Sequence, residues 1–227
     1  MPRKKNTDAQ TAELPGVAAA SRALTILSAF RTGDKNLSLA ELSRRTQLYK
    51  STILRLTQSL ESFGYLLRQE DGDYVLGHEL IRLGGIASSA TTSYDVISAS
   101  LRRLVAETGE SSTFYVARGD FRLALLREDS PRTVRDHIRV GDLLPLDKGA
   151  AAHVLTRVND GEIAVHHSLG ERDPDLAAVA GPVYEHGKLI GAIQVSGPIS
   201  RLDETRLDDV RKLVEVECQF LHRALRR

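Results

Sequence analysis

Lys50, Ser51, Thr52 and Arg55 place two cations and two hydroxyls within six positions, and none falls on the apolar stripe formed by Ile53, Leu56, Leu60 and Phe63. Gln58 and Ser59 lie on the same outward side. A helix start carrying these groups can enter the wide groove of a duplex. Hydroxyls and the helix N-terminus can meet phosphate, and an arginine can grip guanine with two donors. Other chemistry finds little support. His166-His167 on a strand would point to opposite faces, and with His153 and His137 they make no set at metal-ligand spacing. Cys218 reads as a packed or interface residue rather than a nucleophile. Gly84-Gly85 falls in a helical stretch, so it cannot cradle a phosphate. No cofactor is expected, and no catalytic set appears.

The helix that carries these polar groups needs a scaffold, and the flanking sequence supplies one. Val17, Ala20, Leu24, Leu27 and Phe30 recur at helical steps. Ser38 with Glu41 forms a capping-box pattern that opens a second helix running to about Thr46. Lys50 opens a third, ending at Phe63-Gly64 with Gly64 just past its end. Tyr65–Arg68 and Tyr74–Leu76 flank Asp71-Gly72, a hairpin signal. Two helices joined by Gln47-Leu48-Tyr49 and followed by a hairpin make a winged helix-turn-helix. Arg44 and Arg45 on the preceding helix would touch the DNA backbone, and the acidic wing tip Gln69–Asp73 would approach it less closely. A tri-helical protein–protein module is the other reading of the same pattern.

Composition bounds the rest. The 227 residues are 41% hydrophobic and 27% charged, enough for a buried core. Net charge is only +1, but it is unevenly spread. From Val17 to Gln69 there are eight basic against three acidic residues, while from Leu83 onward there are 19 basic against 21 acidic. A basic head before a near-neutral remainder suits a nucleic-acid module tied to something else. One cysteine excludes a disulfide scaffold and fits a reducing cytoplasm. No apolar run approaches a membrane span or a secretion signal. Aromatic residues at 5% argue against a stacking platform for single strands.

After the hairpin, residues 78–93 read as a linker helix and Val96–Glu107 as a further helix. The texture then turns to strands: Ser112–Arg118, Arg122–Glu128, Val134–Val140, Ile163–His167, Ala177–Tyr184 and Lys188–Ser196. A loop at Gly141–Lys148 and a short helix at Gly149–Arg157 intervene, and Asp203 opens a closing helix through Leu225. The expected fold is α+β: a flexible arm (1–16), a winged helix-turn-helix (17–77), the linker helix (78–93), and an antiparallel sheet flanked by helices (94–227).

The chain resembles the IclR-type transcriptional regulators. The resemblance is carried in order by Ala23–Leu27, Leu39–Thr46, Lys50–Leu56, Gly64-Tyr65-Leu66, Tyr74–Gly77, Leu104–Glu110, Arg139-Val140-Gly141, Leu144-Pro145-Leu146, Gly170–Pro174, Ala180–Val183 and Val195–Pro198. It implies a GAF-like C-terminal domain that binds a small organic effector, a carboxylic or aromatic acid. It also implies a homodimer or homotetramer on palindromic operator DNA, and no enzyme. The implied DNA contacts are Arg44, Arg45, Lys50, Ser51, Thr52, Arg55 and Gln58. The implied pocket carries over to Leu144, Pro145, Leu146, Gly149, Ala150 and Ala151, then Glu171 and Asp175, then Gln194 and Ser196. Residue types agree with this. Small Gly149–Ala152 would open backbone amides to a carboxylate, and Gln194 and Ser196 share one strand face. The chain departs from the family in a short Thr156–Glu162 segment, in Ala152-His153, and in Asp147-Lys148, whose acid would repel an anion unless Lys148 offsets it. These departures keep open an effector-blind, DNA-binding oligomer; an enzyme with a DNA-binding head is the third possibility.

Overall fold

The computed structural model describes residues 16–89, 92–157 and 162–226. The expected arm, apart from Gly16, lies outside these residues, as do residues 90–91 of the linker and 158–161 of the short segment. The chain divides into two compact units after Ala87.

In the first unit, α1 (Ala18–Ser28), α2 (Leu39–Thr46) and α3 (Lys50–Ser62) precede the strands β1 (Leu66–Arg68) and β2 (Tyr74–Leu76). The Ser38 cap forms, its Oγ accepting the Glu41 N–H at 3.2 Å, but the Glu41 carboxylate bonds Arg44 and Arg45 instead of closing the box. Gln47 turns the chain out of α2 in a left-handed conformation, φ 59°. Ile26, Leu42, Ile53, Leu56, Leu60, Leu66 and Tyr74 form the core. Tyr74 also exchanges two backbone bonds with Leu37, which adds a short third partner to the hairpin. Phe63 departs from the expected stripe and is 73% exposed. It stands just past the last turn of α3, and Gly64 at φ +73° swings the chain away before the stripe can continue.

Helix α4 (His78–Ser89) leads out of this unit, and α5 (Thr92–Thr108) opens the main body of the second. Its sheet has six antiparallel strands in the order β5-β4-β3-β8-β7-β6. They are β3 (Ser111–Arg118), β4 (Phe121–Glu128), β5 (Leu143–Pro145), β6 (His166–Leu169), β7 (Leu176–Glu185) and β8 (Lys188–Pro198). One face packs on α5 and α7 (Glu204–Ala224) through Ile97, Leu101, Leu104, Phe114, Val179, Ile193, Val195, Val210, Val214 and Cys218. The other face carries α6 (Ala150–Thr156) over Tyr115, Ala124, Ala180 and Ala192.

Three strand expectations are corrected. Val134–Val140 forms no strand. It lies across the α6 face, with Asp136 and Ile138 buried and Val134 and Val140 exposed. An extended segment lying on a sheet alternates inward and outward as a strand does, so periodicity could not separate the two. The edge position beside β4 goes instead to β5, inside the expected loop, where Arg122 pairs with Leu144. The next strand starts at His166 rather than Ile163.

Close packing at the sheet centre depends on absent side chains. A Cβ at Gly191 would lie 2.4 Å from the Phe114 ring and 2.5 Å from the Tyr115 carbonyl oxygen. Gly191→Ala is therefore expected to cost about 1–3 kcal/mol in urea unfolding followed by circular dichroism, the usual penalty for overpacking.

Candidate DNA interface and effector cleft

The sequence proposed seven DNA contacts, and the structure sorts them into free and occupied groups. At the start of α3, Lys50, Ser51, Arg55 and Gln58 are exposed and Thr52 is half-buried. Opposite them Ile53, Leu56, Thr57 and Leu60 are buried. The N-cap, Tyr49, makes no side-chain capping bond. The Thr52 and Ile53 amides bond the Tyr49 carbonyl at 2.9 and 3.0 Å, which leaves the Lys50 and Ser51 amides uncapped beside the polar side chains, an arrangement open to phosphate.

Arg44 and Arg45 differ from that group. Arg44 bonds Glu41 through two nitrogens at 2.8 and 2.5 Å but stays 69% exposed at its side chain. Arg45 is 14% exposed and spans three partners: Asp34, Glu41 at 2.6 Å, and the Ala29 carbonyl at 3.0 Å. The Arg44 and then the Arg45 hydrogen bonds hold the Glu41 carboxyl down at about 2. The Arg45 hydrogen bond likewise lowers Asp34. Arg45 thus ties the end of α1 and the following turn to α2. The wing tip is also internally bonded, with Asn36 Nδ2 donating to Asp73 at 3.0 Å.

The residues carried over for the effector converge less closely. A narrow cleft of about 20 Å³, room for about one water molecule, lies between α6 and the sheet. Gly149, Ala150, Gln194 and Ser196 line it; Leu144, Leu146, Ala151, Glu171 and Asp175 do not. Leu144 is buried on β5, and exposed Asp175 is engaged through its backbone, which donates to Asp173 at 3.1 Å and accepts from Ile199.

The backbone amides expected to seat a carboxylate are already bonded. Gly149 N–H donates to Glu171 at 2.8 Å, Ala150 N–H to Ser168 at 3.1 Å, and Ala151 N–H to Gln194 at 3.2 Å. Glu171 Oε2 also lies 2.8 Å from His153 Nε2. Burial pushes the Glu171 carboxyl up, but the Gly149 amide and His153 outweigh it and leave it below its ordinary value. Ser196 donates to buried Asp136, which also bonds Arg127. Asp147 and Lys148 are exposed.

Sequence reasoning missed Arg122, Ser168, Arg172 and Asp173, which also line the cleft. Arg122 carried a readable signal. It alternates with exposed Phe121 and shares the inward parity of Ala124, so strand alternation alone places a guanidinium inside.

The IclR helix-turn-helix domain model matches residues 19–70. The chain is 23% identical to the HTH-type transcriptional regulator XynR of Escherichia coli K12, an alignment covering 93% of this chain and 98% of that one. The IclR regulator structure from Alicyclobacillus acidocaldarius superposes with TM-score 0.80 at 19% identity, covering 93% of this chain and all of that one. An IclR homolog of Microbacterium hydrocarbonoxydans, solved with 4-hydroxybenzoate, gives TM-score 0.72 at 19% identity over 91% of this chain and 100% of its own. At these identities the structural matches establish the fold.

Two outcomes follow. Arg45→Ala should lower the melting temperature of the protein, whereas Arg55→Ala should leave it unchanged; differential scanning calorimetry distinguishes them. Glu171, with its carboxyl held low, contributes stability that is present above the ordinary value of 4.5 and lost as pH falls through the lowered one. In Glu171→Gln that part of the acid dependence should vanish from urea melts taken across the same range.

Proposed function

We infer that the chain, which belongs to the IclR family of transcriptional regulators, acts by seating α3 in the major groove of a palindromic operator as a cytoplasmic homodimer or homotetramer, and that a small organic acid modulates this. One observation carries the DNA half: the exposed, uncapped start of α3, with Lys50, Ser51, Thr52, Arg55 and Gln58 turned away from the core. In this reading Lys50 and Ser51 meet phosphate, Arg55 and Gln58 reach base edges, and Thr52 serves either. Arg44 stays exposed enough to touch the backbone, while Arg45 positions the helices through its internal bonds.

Self-association is supported by apolar residues left uncovered on α1 and α4. Leu24 is 62% exposed, Ile81 79% and Ile86 53%, and α4 buries no residue. Two heads brought together on such a face present their α3 helices to half-sites about one DNA turn, or a multiple of it, apart.

The effector half is supported by the fold and by the relative from Microbacterium hydrocarbonoxydans that was solved with 4-hydroxybenzoate. The cleft beneath α6, with Gly149, Ala150, Gln194 and Ser196, is its seat in this reading; Glu171 and Ala151 shape it, and Leu144, Leu146 and Asp175 lie outside it. A second reading, an effector-blind regulator, is favoured by the cleft's 20 Å³ and by its amides being bonded internally.

Selection of bound duplexes from a random pool, followed by footprinting, tests the DNA reading. A protected palindrome whose affinity falls with salt supports it. Lys50→Ala with Arg55→Ala should weaken binding by roughly 10- to 1000-fold, the worth of one base-reading arginine plus one phosphate contact. The circular dichroism spectrum should stay unchanged. No preference among duplexes at low salt would overturn the reading.

A further inference from the structure

Among the described residues, Arg122 is a buried cation without a carboxylate partner. It is 2% exposed. Its Nη1 donates to two backbone carbonyls, Pro145 at 2.5 Å and Lys148 at 3.0 Å. Its Nε is buried with no hydrogen-bond partner. Its Nη2 borders Gly149, where a Cβ would come within 3.3 Å. The guanidinium stands 5.5 Å from the Tyr115 ring centre, so the ring face gives it only partial compensation.

The buried side chain of Arg127 and the half-buried Arg201 of this unit are paired. Arg127 is held by Asp129, Asp136 and Thr113, and Arg201 grips Glu110 with two nitrogens at 2.6 and 2.7 Å. Arg122 has no ion pair within 4 Å among the described residues. Burial pulls its pKa below the ordinary arginine value; Arg172 acts in the same sense, and Tyr115 and exposed Asp147 oppose. Leaving an arginine buried and unpaired is costly, and such groups normally gain a counter-charge.

Arg122 borders the cleft beneath α6. Arg122 and Arg172 line the same cleft, with Leu176 and Ala178 as apolar wall and Asp173 beside Arg172. With Nη1 committed to carbonyls, the free edge of the guanidinium is Nε and Nη2. Two parallel donors on one edge match the two oxygens of a carboxylate. The apolar wall suits a hydrocarbon remainder, and the Asp173 carboxylate disfavours a second negative charge.

We propose that Arg122 anchors the carboxylate of a small organic monoanion in this cleft, through the Nε–Nη2 edge of its guanidinium. This rests on the effector reading given above, and names the residue and charge type that would select the ligand. Admitting it requires the cleft to widen, since as it stands it holds about one water molecule.

The test uses the full-length protein labelled with 15N. The Nε–Hε resonance of Arg122 is assigned through bonds from its own backbone, with 13C added to the label, so that no variant is needed for the assignment. Sodium acetate, benzoate and 4-hydroxybenzoate are titrated separately, with acetamide, benzamide and sodium chloride at matched ionic strength as controls. At least one carboxylate is expected to move this resonance saturably, while its amide and chloride leave it in place. Arg122→Lys, which keeps the charge and loses the fork, should weaken that carboxylate at least about tenfold by calorimetry. A resonance unmoved by all three carboxylates overturns the proposal, and so does a carboxylate that binds Arg122→Lys as tightly as wild type. The wild-type resonance decides the matter even where the lysine variant fails to fold. If an acid binds and shifts operator affinity while the Arg122 resonance stays still, the anchor is wrong and the effector reading stands. If no acid binds or alters operator affinity, both fall together, while the footprint judges DNA binding separately.

Discussion

The three amides that open α6 form the constraint on which the second unit turns. Each is accepted by a side chain from a different place: Glu171 from the loop after β6, Ser168 from β6 itself, and Gln194 from β8. A buried donor left unpaired costs roughly 1–3 kcal/mol, so these bonds fix both the height and the rotation of a helix only seven residues long. Gly149 makes the approach possible. Its φ of +96° turns the chain from the β5 loop into α6, and the absence of a Cβ leaves room for the Arg122 guanidinium. The carbonyls of Pro145 and Lys148, just upstream, then receive Arg122. One short helix, one strand edge and one buried cation are thus a single mechanical piece.

The first unit solves a related problem with charge rather than amides. The basic excess of residues 17–69 is not a uniform field. Arg45 is consumed by Asp34, Glu41 and the end of α1, and Arg44 shares Glu41. Neutralising those cations near the turn leaves Lys50 and Arg55 as the exposed charges of α3. A groove-reading helix benefits from this division. The arginine that ties the helices together is mostly covered and fully bonded, and Lys50 and Arg55 remain exposed to solvent.

Much of this was legible in the sequence because it is written in local rules. The Ser38 cap, the Gly64 exit, the Asp71-Gly72 turn and the Asp203 start of α7 each follow from a short-range bond or a backbone preference, and each appears where its residues stand. Non-local geometry was not legible. Alternation could not tell a segment lying on the sheet face, Val134–Val140, from a strand within it. Arg45 was grouped with Arg44 because adjacency in sequence says nothing about Asp34, which only the folded turn brings near. Glu171 was placed near the pocket by resemblance, but that its carboxylate would itself take the Gly149 amide needed the loop's return path.

Arg122 shows the opposite case, a signal present in the pattern and decisive for the chemistry. The two faces of the sheet are not equivalent. The α5–α7 face is almost wholly apolar, whereas the α6 face buries Arg122, Arg127, Thr113, Asp136, Gln194 and Ser196 among small alanines. A face that existed only for stability would gain nothing from an orphaned guanidinium, since apolar residues of like volume fill such a site at least as well. Its neighbours demonstrate the alternative, because Arg127 and Asp136 satisfy one another completely enough to pin the segment above them. A ligand can shift a conformational balance only through unequal affinity for its two states. The unpaired Nε is a group on this face whose energy an anion would change directly, and through Pro145 and Lys148 that change reaches the β5 edge and the start of α6 at once.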